Sequence, residues 1–167
     1  MTHIEAEEHA DDQWLVDGQP SFGVIPGGIL EAAPNDTPIF LYRGDATYGA
    51  LHIRSGHGHW VNRQGLSVPE LVWRKCQQTG SMYSTDQRHK LNIALTLSPS
   101  ALMVLRYIQA KGHFSVVTLY FRERDLDGEF LGRYQPIKWT SSPPTFSLKP
   151  YQRPEIIFKK KRTLIIP

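Results

Sequence analysis

Residues 91–97 read Leu91-Asn92-Ile93-Ala94-Leu95-Thr96-Leu97, with leucine or isoleucine at every odd position and small or polar residues between. Successive side chains of a strand point to opposite faces, so this alternation predicts a half-buried β-strand. Downstream, Phe114 to Arg122 reads as a second strand. Asp127-Gly128 then offers a tight turn into Glu129–Ile137, which predicts a hairpin. Upstream, Ile39-Phe40-Leu41-Tyr42-Arg43 reads as a short strand ended by Gly44-Asp45. Near the C-terminus, Ile156-Ile157-Phe158 and Thr163–Ile166 flank the basic run Lys159–Arg162, the pattern of a last hairpin or of a solvated turn.

Two helices are signed. Ser67 and Glu70 make a capping box, Pro69 sits in the first turn, and Val68, Leu71, Val72 and Cys76 share a face before Gly80. Ser98-Pro99 opens a second expected helix, with Ala101, Leu102, Leu105 and Ile108 as its apolar stripe and Gly112 as its stop. The expected fold is α+β: a largely antiparallel sheet with two or three helices packed on it, in a single domain over 21–167. Residues 1–20 are polar and acidic and read as a flexible arm. Residues 21–38, with three prolines and three glycines, read as a loop-rich entry. Neither repeats nor an interdomain linker are evident.

Composition narrows the function classes. The 167 residues, 40% apolar, suit one domain with its own core. No apolar run approaches the roughly 20 residues a membrane-spanning helix needs, so no membrane partner is expected. The start MTHIEAEEHADD has neither a basic region nor an apolar stretch, and it is expected to be neither a secretory signal nor a transit peptide. Cys76 is the one cysteine, which excludes an internal disulfide and a cysteine-based zinc site. The net charge of +3 hides an asymmetry: residues 1–36 hold eight acids and no Lys or Arg, leaving +11 on the remainder. Residues 130–167 alone carry eight basic residues against Glu155. A basic body behind an acidic leader points to an anionic partner, nucleic acid foremost, or to ordinary solubilising charge.

The chemistry-bearing stretch is Leu51-His52-Ile53-Arg54-Ser55-Gly56-His57-Gly58-His59-Trp60. Histidine changes charge near neutral pH, so a pair can serve as base and acid. RNA cleavage without a metal needs those two roles, plus a cation or donor for the charged phosphorane. Arg54 could supply the cation, and the glycines could let a phosphate approach the backbone. The spacing leaves open whether His57 or His59 partners His52. His-x4-His-x-His also has imidazoles that suit zinc, copper or nickel, but no carboxylate or cysteine stands nearby to complete a metal site. The bland reading is a glycine-rich surface turn with incidental histidines. His89 and its neighbour Lys90 are further candidates.

Tyr48-Gly49-Ala50-Leu51-His52-Ile53-Arg54-Ser55-Gly56-His57-Gly58 resembles the G-x-x-H-I-x-x-x-H signature of the barnase–EndoU–colicin–RelE-like ribonucleases of bacterial polymorphic and phage-associated toxins. Phe114-Ser115-Val116-Val117-Thr118-Leu119-Tyr120 resembles the late strand of their EndoU-type members, where a Thr or Ser and a Tyr face the scissile phosphate. Thr118 and Tyr120 are two apart and so share a strand face, with Val117, Leu119 and Phe121 on the other. The resemblance covers two short motifs and the order of elements, about a third of the chain. It implies a helix bearing the histidines beside an antiparallel sheet. It also implies a metal- and cofactor-independent endoribonuclease, a toxin or toxin-like effector, with His52, His57, Arg54, Thr118 and Tyr120 as its site. RNA, with tRNA among the candidates, would be the substrate. A cognate immunity protein would be a partner, and the cytoplasm of the producing or a target cell the site of action.

Two other classes are carried. Ile39-Phe40-Leu41-Tyr42-Arg43-Gly44-Asp45 resembles the first-strand arginine motif of bacterial ADP-ribosyltransferase toxins. On that reading Arg43 would hold an NAD phosphate, Ser84-Thr85 would be the Ser-Thr element and Glu129 the catalytic glutamate. The aromatic-Gly element that should follow the arginine is absent, and Asp127-Gly128-Glu129 departs from the expected Gln/Glu-x-Glu. The third class is a non-enzymatic binder, in which Tyr107, Tyr120, Tyr134, Trp139 and Tyr151 among basic residues would stack on bases.

Overall fold

In a computed structural model, residues 8–85, 91–97, 100–122, 128–136 and 144–151 are described. In chain order the elements are β1 Gln13–Val16, β2 Gly23–Ile25, β3 Thr37–Phe40, α1 Gly49–Arg63, α2 Val68–Cys76 and β4 Gly80–Ser84. They continue with β5 Asn92–Leu97, β6 Ala101–Ile108, β7 His113–Phe121, β8 Phe130–Tyr134 and β9 Phe146–Lys149. Seven strands form one sheet in the order β2-β3-β7-β6-β5-β4-β8, and β1 pairs with β9 as a separate ribbon. Every pair is antiparallel except β3 with β7. The fold is therefore α+β, with a largely antiparallel sheet and two helices, as the alternating patterns predict. Among the described residues no helix is long and apolar enough to cross a membrane.

The alternation in β5 places its apolar side chains where cross-strand neighbours bury them. Met82, Leu95, Met103 and Leu119 are successive partners across β4, β5, β6 and β7, and all four are fully buried. Ile93, Leu105 and Val116 make the next such row. Fully burying each of these side chains contributes roughly 1.5–3 kcal/mol. The expected cap of α2 is present: Glu70 N–H donates to Ser67 Oγ, and Pro69 occupies the first turn.

Three expectations are corrected. The stripe Ala101, Leu102, Leu105 and Ile108 belongs to strand β6 and forms no helix there. Ala101-Leu102-Met103-Val104-Leu105 is apolar at every position, because β6 lies between β5 and β7 and is covered on both faces. Such a run satisfies a helical and a strand period equally. Second, the strand after Gly128 does not pair with β7. β3 pairs with β7 only at Phe114 and Ser115 and α1 packs against β7, while β8 lies at the far edge of the sheet and pairs with β4. Two hydrogen bonds fix its start, both 2.9 Å: Ser84 N–H donates to the Glu129 carbonyl, and Glu129 N–H donates to the Ser84 hydroxyl. Third, β1 lies inside the stretch expected to be a flexible arm. Val16 is fully buried, and Asp12 is buried because it caps the backbone: its carboxylate accepts from the N–H groups of His9 and Tyr151. The tail segments around Lys159–Arg162 lie outside the described residues.

The sheet curls until its two edges meet. Tyr134 on edge strand β8 donates its hydroxyl to the Cys76 carbonyl at the end of α2, 2.5 Å away. It also lies against Gly23 of the opposite edge strand β2, where a Cβ would stand 2.6 Å from the phenol oxygen. Tyr134 is thus a core residue that closes the curl, and it is not available to stack on a base. The phenol is pinned by its hydrogen bond, so it cannot yield to a methyl group. Gly23→Ala is expected to destabilise the protein by about 1–3 kcal/mol in urea unfolding. The cost should shrink in a Tyr134→Phe background, where the obstructing oxygen is gone. Equal costs in the two backgrounds would contradict the closure.

Candidate active site

The histidine stretch forms α1. The helix starts without a side-chain cap at Tyr48. Its first N–H groups are taken instead by the chain leaving β3: Ala50 N–H donates to Tyr42 O at 3.0 Å and Leu51 N–H to Arg43 O at 2.8 Å. Ile53, fully buried, and Ala50 and Val61 face the core. β3 pairs with β7 only at Ile39–Phe114 and Phe40–Ser115, and α1 packs against β7. Gly56 and Gly58 each cost a helix interior about 1 kcal/mol relative to alanine. The residue between them, His57, leaves the helical range at φ −132°, ψ 20°, which kinks α1 there.

The kink turns His57 onto the sheet. Its ring stacks on Tyr120 with centroids 5.0 Å apart and 23° between planes. It meets His52 edge-on, with centroids 6.1 Å apart at 89°. His52 Nδ1 lies 2.8 Å from the Ala46 carbonyl, which can only accept, so Nδ1 carries the hydrogen and Nε2 is left for other partners. Burial, and then the neighbouring His52, hold the His57 imidazole below its usual pKa. His59 is exposed, so His57 is the second histidine that reaches the strand.

Of the five residues expected at the site, His52, His57 and Tyr120 come together. Arg54 does not join them: it is exposed, and two residues from His52 along a helix is another face. Thr118 shares the Tyr120 face, but its hydroxyl is enclosed and has no hydrogen-bond partner among the described residues, so it does not reach a ligand on the surface. His89 and Lys90 lie outside the described residues. Among the described residues no three His, Cys, Asp or Glu side chains are grouped to hold a metal ion. Of the ADP-ribosyltransferase set, Ser84 and Glu129 are bonded neighbours and Thr85 Oγ1 donates to Asn92 O. Arg43 follows β3, with β7, β6 and β5 between it and β4, and its guanidinium pairs with Glu8 at 2.9 Å.

One feature of β7 had no signal in its composition. The β6–β7 register shifts between Val104 and Leu105: Leu105 faces Val116, Val104 faces Thr118, and Val117 is left over as a β-bulge. Arg106 and Val104 share a face, and their partners are Ser115 and Thr118. The bulge therefore puts His113 and Ser115 on the same face as Thr118 and Tyr120. Val117 leaves the apolar face expected for it and lines a cavity of about 300 Å³ beside Tyr42, Tyr48, Arg106, Lys111 and His113.

His113 was missed as a candidate because it heads an apolar strand. The Tyr42 hydroxyl lies 2.8 Å from its Nε2, Phe40 stacks on it at 4.2 Å, and Lys111 sits 5.4 Å over the Tyr42 ring. Burial, then the Lys111 charge, push the His113 pKa down to about 4. Burial, then the Asp11 and Asp45 carboxylates, push the Tyr48 phenol up to about 12, so it stays a donor. No family model, no curated protein and no solved structure matches the chain.

The His113 shift has a consequence for stability. Its folded pKa of about 4 lies below the ordinary 6.5, so between those values the unfolded chain takes up a proton that the folded chain refuses. Its contribution is fully present above about pH 6.5 and is lost as pH falls toward 4. The urea midpoint of the wild type should drop over that window more steeply than that of His113→Gln, whose amide can still bond Tyr42. Parallel pH profiles would contradict the buried neutral imidazole.

Proposed function

We propose that the protein is a metal-independent endoribonuclease. The observation that carries this reading is the grouping of His52, His57 and Tyr120 at the kink of α1 over β7. Two adjacent imidazoles, one edge-on to the other, can serve as an acid–base pair, and a phenol stacked on one of them is a hydrogen-bond donor held in place. His57, kept neutral by its partial burial, is the base. It takes the proton of an RNA 2′-hydroxyl, and the 2′-oxygen attacks the adjacent phosphorus. The bond from phosphorus to the 5′-oxygen breaks, and the imidazolium form of His52 gives its Nε2 proton to that oxygen. The products are a 2′,3′-cyclic phosphate and a 5′-hydroxyl end, and solvent returns the two histidines to their starting states. Tyr120 donates to the phosphorane oxygens. Arg54, on another helix face, has no part in this step.

An ADP-ribosyl transfer reading would need Arg43 to leave Glu8 and join Ser84 and Glu129, which already bond each other. The ribonuclease needs no such rearrangement.

Incubation with total RNA or tRNA in EDTA tests the proposal. The wild type should release fragments with cyclic phosphate ends. His52→Ala and His57→Ala should each lower the rate by about 10²–10⁴-fold, the range for a lost acid or base. The acidic limb of kcat/KM should fall below the ordinary histidine pKa, because His57 is the base. Intact RNA with the wild type, or equal cleavage by His57→Ala, would sink the reading. Transfer of label from NAD that depends on Glu129 would put the transferase in its place.

A further inference from the structure

The cavity beside the bulge is lined by none of His52, His57 and Tyr120, so it is a second place where a ligand could sit. Two of its polar groups are set by the ladder. Arg106 and Ser115 are direct cross-strand partners, so their side chains stand together on one face, with Cβ atoms about 5 Å apart. Ser115 is only 5% exposed, yet its hydroxyl has no hydrogen-bond partner among the described residues. A buried hydroxyl normally has one, and the cavity is where this one can find it. Arg106 gives its Nε to Asn92 Oδ1 at 3.4 Å, which leaves the two terminal nitrogens of its fork. Lys111, over the Tyr42 ring, adds a second cation, and neither cation is paired with a carboxylate among the described residues.

Charge and shape select the ligand. Two cations, Arg106 and Lys111, stand against one carboxylate, Asp11. His113 bonds Tyr42 and is neutral above about pH 4, so it adds no charge. One negative charge on a ligand balances the wall, whereas a dianion leaves it negative. Asp11 also lines a neighbouring cavity of about 200 Å³ that Arg106 and Ser115 do not reach, so the like charge lies away from their end. Ile108 and Val117 give the wall an apolar part. The volume of about 300 Å³ is at the lower limit of small-molecule sites and exceeds what a bare ion needs. We propose that this cavity binds a small organic carboxylate, its anionic group on the Arg106 fork and the Ser115 hydroxyl and its apolar body against Ile108 and Val117. A planar fork and a carboxylate match in geometry as well as charge.

The proposal does not rest on the ribonuclease reading, and its test needs no RNA. Isothermal titration of the full chain near neutral pH compares isocaproate, acetate and inorganic phosphate. Isocaproate, a carboxylate with a branched apolar body, should bind saturably and more tightly than either of the others. The methyl signals of Ile108 and Val117 should shift along the same binding curve. Arg106→Ala should weaken binding by about ten-fold or more, and so should Arg106→Lys, because an ammonium keeps the charge and loses the fork. Ser115→Ala should cost about ten-fold, the worth of one hydrogen bond to a charged group. Arg106 is exposed and Ser115→Ala removes a single oxygen, so the variants should keep the urea midpoint of the wild type. Failure of isocaproate to saturate, undiminished binding by Arg106→Lys, or phosphate binding as tight as isocaproate would each overturn the proposal.

Discussion

The one-residue slip between β6 and β7 is the constraint on which the site depends. A strand without it would alternate strictly, and Tyr120 would share a face with Phe114 and Val116, the fully buried core side chains. The extra residue, Val117, flips that relation midway. The lower half of β7 sends Phe114 and Val116 inward and His113 and Ser115 outward, while the upper half sends Leu119 inward and Tyr120 outward. One strand therefore serves the core along its whole length and still carries His113, Ser115, Thr118 and Tyr120 together on its other face.

The helix answers that face. β3 pairs with only the first part of β7, and α1 packs against the strand beyond it. Its two interior glycines lower its stability, and its hydrophobic stripe is thin: Ala50, Ile53 and Val61 are buried, with Trp60 partly buried beside them. The kink at His57 has its physical origin there, since a regular helix with alanines in place of Gly56 and Gly58 would have less reason to leave α geometry. Strength at the other end of the fold offsets this. The curl is closed by Tyr134 between α2 and β2, in a region where nearly every side chain is fully buried.

Much of the fold was legible because it follows from period and capping. Ser67, Glu70 and Pro69 gave α2, and alternation gave β5. The runs at 39–43 and 114–122 gave β3 and β7 to within a few residues. β6 was misread because a strand covered on both faces loses its alternation and keeps only its apolarity, which a helix shares. The partner of β8 was misread because a turn at Asp127-Gly128 implies the preceding strand as neighbour, whereas β8 pairs with β4 at the far edge. At the site, His52, His57 and Tyr120 were found from residue type and motif. Arg54 falls outside the site because two residues along a helix is another face, and Thr118 because a shared strand face does not guarantee exposure. His113 was missed for a deeper reason: Val116-Val117-Thr118 contains no glycine or proline to mark a bulge, so nothing local announced that odd and even positions of β7 would meet on one face.

The kink of α1 and the slip in β7 bring His52, His57 and Tyr120 into one site. Amide and side-chain chemical shifts of the full chain, followed while a 2′-deoxy oligonucleotide is added, test this grouping. His52, His57 and Tyr120 should shift together along a single binding curve. Shifts that leave one of the three unmoved, or that titrate with different affinities, would contradict a single site.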